Sequence, residues 1–118
     1  MENSILDSVK KVLGIDKTYT AFDTDILMHI NTILAVVTQL GVGPTEGYAI
    51  EDAQPTWVDF LGEDPRLNDV KTYVYLRVRL LFDPPTTSFT QDAIKEQYKE
   101  LEWRINVHRE DESWVAPS

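Results

Sequence analysis

Few side chains in this sequence are equipped for acid–base or metal chemistry: there are two histidines, His29 and His108, and no cysteine. The lack of cysteine excludes disulfides, thiolate metal sites and cysteine nucleophiles, and makes a reducing, cytosolic history the simpler expectation. His29 follows Asp25 by four residues, which puts both on one helix face and offers two ligands to a metal. No third ligand accompanies them, so His29 is read as a polar residue beside an apolar stripe, bonded to a neighbour. His108 falls near the C-terminus of an expected helix, where a cation complements the helix dipole.

Gly41, Gly43 and Gly47 give one segment the glycine density of a phosphate cradle, but Pro44 removes a backbone donor and no Gly-Lys-Ser/Thr opens a helix after it. Glu46, Glu51, Asp52, Asp59, Glu63 and Asp64 run without a base until Arg66, yet the alternating ligand loop of a calcium site is missing, and a solvated acidic face is expected. Arg77 and Arg79 sit among apolar residues. Their guanidinium forks would reach carboxylates of this chain or of a neighbouring one, and the sequence favours neither. With no nucleophile, base or metal set at a recognisable spacing, no catalytic residue, cofactor or metal is expected, and the chain is read as non-enzymatic.

The elements that carry these residues are helical. Ile5, Leu6, Val9, Val12 and Leu13 recur at helical spacing after a capping Asn3 or Ser4 and before Gly14. From Asp23 to Leu40 the apolar stripe Ile26, Leu27, Ile30, Ile33, Leu34, Val37 and Leu40 predicts a second helix, stopped by Gly41. Residues 41–57 are expected to form a loop, with Tyr48-Ala-Ile50 too short to count as a sheet. A single turn over Trp57–Leu61, opened by Pro55 and closed by Gly62, follows. Pro65 opens a longer helix to about Phe82, with Leu67, Val70, Val74, Val78 and Leu81 on one face and Tyr73, Leu76 and Leu80 on another. Pro84-Pro85 ends it, and Ser88 with Gln91 resembles a capping box for a last helix from Phe89 to about Arg109. Its inner stripe is Ile94, Leu101, Ile105 and His108.

The expected fold is mainly α, a small bundle of about four helices plus a short helical turn, with a long irregular loop. Residues 1–109 form one helical domain and 110–118 a flexible tail. The length of 118 residues suits one domain, and 42% hydrophobic residues suit a globular core. No segment has the apolar run of an export signal or a membrane span, so a soluble protein is expected. Twenty acids against eleven bases give a net charge of -9, which repels nucleic-acid phosphates and argues against ordinary DNA or RNA binding. The doubly patterned fourth helix and a surplus of large aromatics point to assembly through protein surfaces. The interface candidates are Trp57, Tyr73, Leu76, Arg77, Leu80, Trp103 and Trp114.

The order of these features resembles the head-tail connector, or head-completion and adaptor, proteins of long-tailed bacteriophages. The residues that carry the likeness are Leu13-Gly-Ile-Asp16 after a short first helix, the apolar helix Asp25 to Leu40, and Trp57-Val-Asp-Phe-Leu-Gly62. They continue with Val70 to Phe82 ending in Leu-Leu-Phe-Asp-Pro-Pro85, and close with Leu101-Glu-Trp-Arg-Ile-Asn-Val107. The resemblance implies a virion neck protein, made in the host cytoplasm and built into a homo-oligomeric ring, a dodecamer, beneath the portal protein. It implies contact with the next neck or tail-completion protein, DNA only as a passenger in the channel, no membrane and no enzymatic activity. An acidic lining would let duplex DNA slide, and the loop 41–54 and the tail after Arg109 would be docking segments ordered on assembly. The composition fits a second class equally well, a small acidic inhibitor or adaptor that binds a host protein, as a DNA mimic. A helical enzyme using Asp25 and His29 is a third.

Overall fold

The computed structural model describes residues 4–62 and 64–115, with side chains through 106. Five helices make up the described chain: α1 (Ile5–Val12), α2 (Asp23–Gln39), α3 (Trp57–Leu61), α4 (Leu67–Phe82) and α5 (Ser88–Val115). Each start has a local cause. The Ser4 hydroxyl accepts from the Asp7 amide at the head of α1. At α3, Thr56 and Asp59 form a reciprocal capping box, so the turn begins after Thr56 and Pro55 lies just outside it. Thr87, one residue before the Ser88 expected for this role, caps α5 by accepting from the Thr90 amide at 3.2 Å. Gln91 instead donates to the Pro85 carbonyl at 2.7 Å and ties α5 to the Pro84-Pro85 break.

α4 is the hub: α2 and α5 pack along different sides of it, and α1 and α3 also reach it. On α2 the stripe Ile26, Ile30, Ile33, Leu34 and Val37 is buried, and on α4 Val70, Val74 and Val78 are buried with it, as the periodicity predicts. Burial of this stripe compensates the modest helix propensity of so many β-branched residues. The result is the mainly α bundle expected, four helices plus the short α3 turn.

Two connections differ from expectation. The loop after α2 is anchored without any partner molecule: Val42 and Ile50 are buried, and Tyr48 packs on Phe60 with centroids 5.0 Å apart. The Asn31 amide pins it to α2, donating to the Ile50 carbonyl at 2.9 Å and accepting from the Ile50 amide at 2.8 Å, as a strand neighbour would. Gly43 has φ +83°, and a Cβ there would lie 2.6 Å from the Phe60 ring, so this glycine serves a turn and a close approach. At the other end α5 runs through Val115, past the boundary expected after Arg109. Glu110 to Val115 holds neither glycine nor proline, and Pro117 is the first residue able to stop the helix. Residues 116–118 lie outside the described residues.

Candidate assembly interface

The seven residues singled out from the sequence separate into core, seam and surface. Trp57 belongs to the core: it is 2% exposed, and its indole Nε1 donates to the Ser8 hydroxyl at 2.9 Å. Ser8 passes the chain on to the Ile5 carbonyl, and the indole meets Tyr75 edge-on. The α3 turn folds back onto α1, where the one polar atom of the indole finds an acceptor, so nothing holds this ring at the surface. Trp57 is therefore a core residue and not the exposed interface aromatic its type suggested.

Tyr73 is fully buried and sits at the α4–α5 seam. Its hydroxyl donates to Glu102 Oε2 at 2.6 Å and accepts from Arg77 Nη1 at 2.7 Å. Arg77 also lies 3.4 Å from Glu102 Oε2 and stacks over Tyr98, 4.6 Å from its ring centroid. Burial, reinforced by the Glu102 carboxylate, pushes the Tyr73 phenol well above its ordinary value, so it stays a neutral donor. Arg77 thus satisfies the intrachain alternative. Leu76 is half-buried against the core, and Leu80 is also half-buried. Arg79 is exposed, and among the described residues it makes no ion pair.

Trp103 is the nominated aromatic that the fold does leave outside, at 65% exposed on α5. Phe89, on the same helix, is 84% exposed. The side chains of Trp114 and His108 lie outside the described residues.

The structure adds a surface that sequence reading did not assemble. Tyr19, Phe22 and Phe82 form a chain of rings, with centroids 5.7 Å and 5.5 Å apart, and His29 meets Phe82 edge-on at 6.4 Å. Tyr19 and Phe22 are among the exposed large apolar residues. Lys10 holds them in place. Its ammonium, on a residue 1% exposed, donates to the carbonyls of Lys17 at 3.0 Å and Tyr19 at 2.7 Å and pairs with Asp23 at 2.8 Å. One buried lysine thereby fastens the α1–α2 connection to both helices it joins. The available signal was Lys10 on the apolar side of α1, between Val9 and Leu13, although its acceptors lie seven or more residues downstream.

The chemical candidates resolve into local structural roles. Asp59 caps α3, Asp52 accepts from the Gln54 amide, and Asp64 forms a bidentate pair with Arg66. Glu63 lies outside the described residues. No group of three histidine or acidic side chains able to hold a metal occurs among the described residues, and no described helix is long and apolar enough to cross a membrane.

Over residues 5–112 the chain matches a family model described as phage connector protein. Comparison with curated proteins finds no match. Comparison with solved structures finds none either.

Proposed function

The chain belongs to the phage connector protein family, and from that premise we propose that it is a structural protein of the virion neck that forms a ring of identical subunits beneath the portal. The ring extends the DNA channel and joins head to tail, with the portal protein on one side and the next neck or tail-completion protein on the other. The observation that carries this reading is the family match across nearly the whole folded chain, residues 5–112. The physics agrees with it. Large aromatics remain outside a well-filled core, as a subunit made for assembly requires. A net charge of -9 suits a channel wall along which DNA phosphates slide without sticking.

In this reading the chain is a scaffold without catalysis, residues 1–109 are the subunit body, and the segment from Glu110 onward is a docking element. A dodecamer is the proposed closed form. The test is light-scattering mass and negative-stain imaging of the purified protein over a wide concentration range, alone and with portal-bearing heads. Rings in solution, or a collar added to the portal, are expected. A monomer that ignores the heads at every concentration would overturn the connector role and favour an acidic inhibitor of a host protein.

A further inference from the structure

A closed ring of identical subunits needs two different surfaces on each copy, because a surface that pairs with itself stops at a dimer. Two exposed aromatic surfaces lie on different sides of the hub helix. One is the outer face of α5. Phe89 and Trp103 are 84% and 65% exposed and stand two heptads apart, which returns them to nearly the same side of the helix about 21 Å apart. Glu96 and Glu100 are exposed between them, opposite the buried stripe of Ile94, Leu101 and Ile105. The other is the ring chain of Tyr19, Phe22 and Phe82 on the α2 side, flanked by exposed Lys17 two residues before Tyr19 and exposed Arg79 three residues before Phe82.

Charge decides how these surfaces can meet. Two α5 faces brought together would set Glu96 and Glu100 of one copy against the same pair of the next, with no cation between the aromatics to offset them. On the α2 side, Asp23 is already paired with the buried Lys10. Lys17 and Arg79 make no ion pair among the described residues, while Arg66, Arg77 and Arg104 are each paired within the chain. The aromatic face edged by free cations therefore complements the aromatic face edged by glutamates.

We infer that the occupant of the α5 outer face is a second copy of this chain, which presents its Tyr19–Phe22–Phe82 face, with Arg79 and Lys17 against Glu96 and Glu100. Repeated around the ring, this contact is head-to-tail. The inference rests on the proposed ring and names the surfaces that close it. Lys10 acts as a positioning residue for the junction, since it fixes the backbone at Lys17 and Tyr19.

Two single-flank variants test it. Trp103→Asp blocks the α5 face and Phe22→Asp blocks the other, where an aspartate at the α2 N-cap is itself a favoured cap and leaves folding intact. Each variant alone should lose assembly, in solution or on portal-bearing heads, by roughly thirtyfold or more in apparent affinity, the level of an interface anchor. Mixed in equal amounts they keep one intact junction, so the mixture should give a dimer of one copy of each and nothing larger. Arg79→Glu and Glu100→Arg should each weaken assembly and restore it when combined in one chain. Should Phe22→Asp lose helix content by circular dichroism, Arg79→Glu takes its place in the mixing experiment. If the unmodified protein assembles and both flank variants assemble as it does, this junction is wrong while the ring stands. If the unmodified protein assembles neither alone nor on heads, the ring falls and the junction with it. Variants that stay monomeric when mixed would overturn the head-to-tail pairing.

Discussion

The two long seams of α4 are built on different physics. Toward the α2 side the buried residues are aliphatic, with Val70, Val74 and Val78 on α4 and Ile30, Ile33, Leu34 and Val37 on α2. Toward α5 the seam holds Tyr73, Arg77, Tyr98 and Glu102, joined by hydrogen bonds of 2.6 and 2.7 Å and a cation stacked on a ring. The aliphatic seam draws its strength from area, and one apolar residue of similar volume serves nearly as well as another. The polar seam draws little net energy from each bond but tolerates few arrangements, because a displaced α5 would strand a buried hydroxyl and a guanidinium. One seam supplies stability and the other supplies register.

The largest expected effect lies in the aliphatic seam. Leu34 is fully buried, and Leu34→Ala should cost about 2–5 kcal/mol of unfolding free energy in urea or thermal melts. A cost below 1 kcal/mol would mean that the seam collapses around the cavity and that α4 is held chiefly elsewhere. Next is Glu102→Ala, which removes the acceptor of the Tyr73 hydroxyl. The expected loss is about 1–2 kcal/mol, less than a core truncation and more than a surface change. If this substitution cost as much as Leu34→Ala, the division between a stabilising seam and a registering one would not hold.

The contrast also explains what the sequence made legible. Apolar periodicity placed α2 and the aliphatic face of α4 because burial is a property of each residue, repeated at a fixed interval. Breakers and caps were legible for the same reason: Pro84-Pro85 stops α4 at Phe82, and Ser4 caps α1. Long-range pairing was not. Asn31 and Ile50 are nineteen residues apart, Trp57 and Ser8 forty-nine, and nothing local to either marks its partner. Trp57 and Trp103 show the cost of reading type alone. Both are large aromatics at helical positions, and only the fold-back of α3 onto α1, which gives the first indole an acceptor, separates a 2% exposed core residue from a 65% exposed surface one. The candidate surface was half legible in the same way. Trp103 was visible by type, while the opposite flank depends on rings from the α1–α2 connection, α2 and the end of α4 meeting in space.

A pH titration sharpens the comparison further, because only the polar seam carries a perturbed phenol. Burial and the nearby Glu102 carboxylate raise the Tyr73 value in the folded protein, whereas the unfolded chain releases that proton near the ordinary value of 10.0. Above that pH the unfolded state binds fewer protons than the folded state, so stability falls with rising pH. The contribution is complete below about pH 10 and is lost on the way to the folded-state value. Tyr73→Phe should shallow the alkaline decline relative to the unmodified protein, read as the difference between two melts at each pH. Equal slopes would mean that Tyr73 is solvated enough to titrate normally.

The smallest effect is expected at the rim of the polar seam. Arg104 and Asp69 approach only to 3.9 Å, with side chains 52% and 34% exposed, so water screens the pair and both long side chains lose freedom to form it. Arg104→Ala should change stability by no more than about 0.5 kcal/mol, and added salt should leave even that difference nearly unchanged. A loss above 1 kcal/mol would place the Asp69–Arg104 pair in one cooperative network with Tyr73, Arg77 and Glu102. A double-mutant cycle with Glu102→Ala would then show coupling, where independent pairs add within about 0.5 kcal/mol. In that case α5 would be registered by the whole polar face of the seam. If the two losses simply add, registration belongs to the buried hydroxyl and its two partners, and the outer turns of α5 are free to serve contacts made outside the subunit.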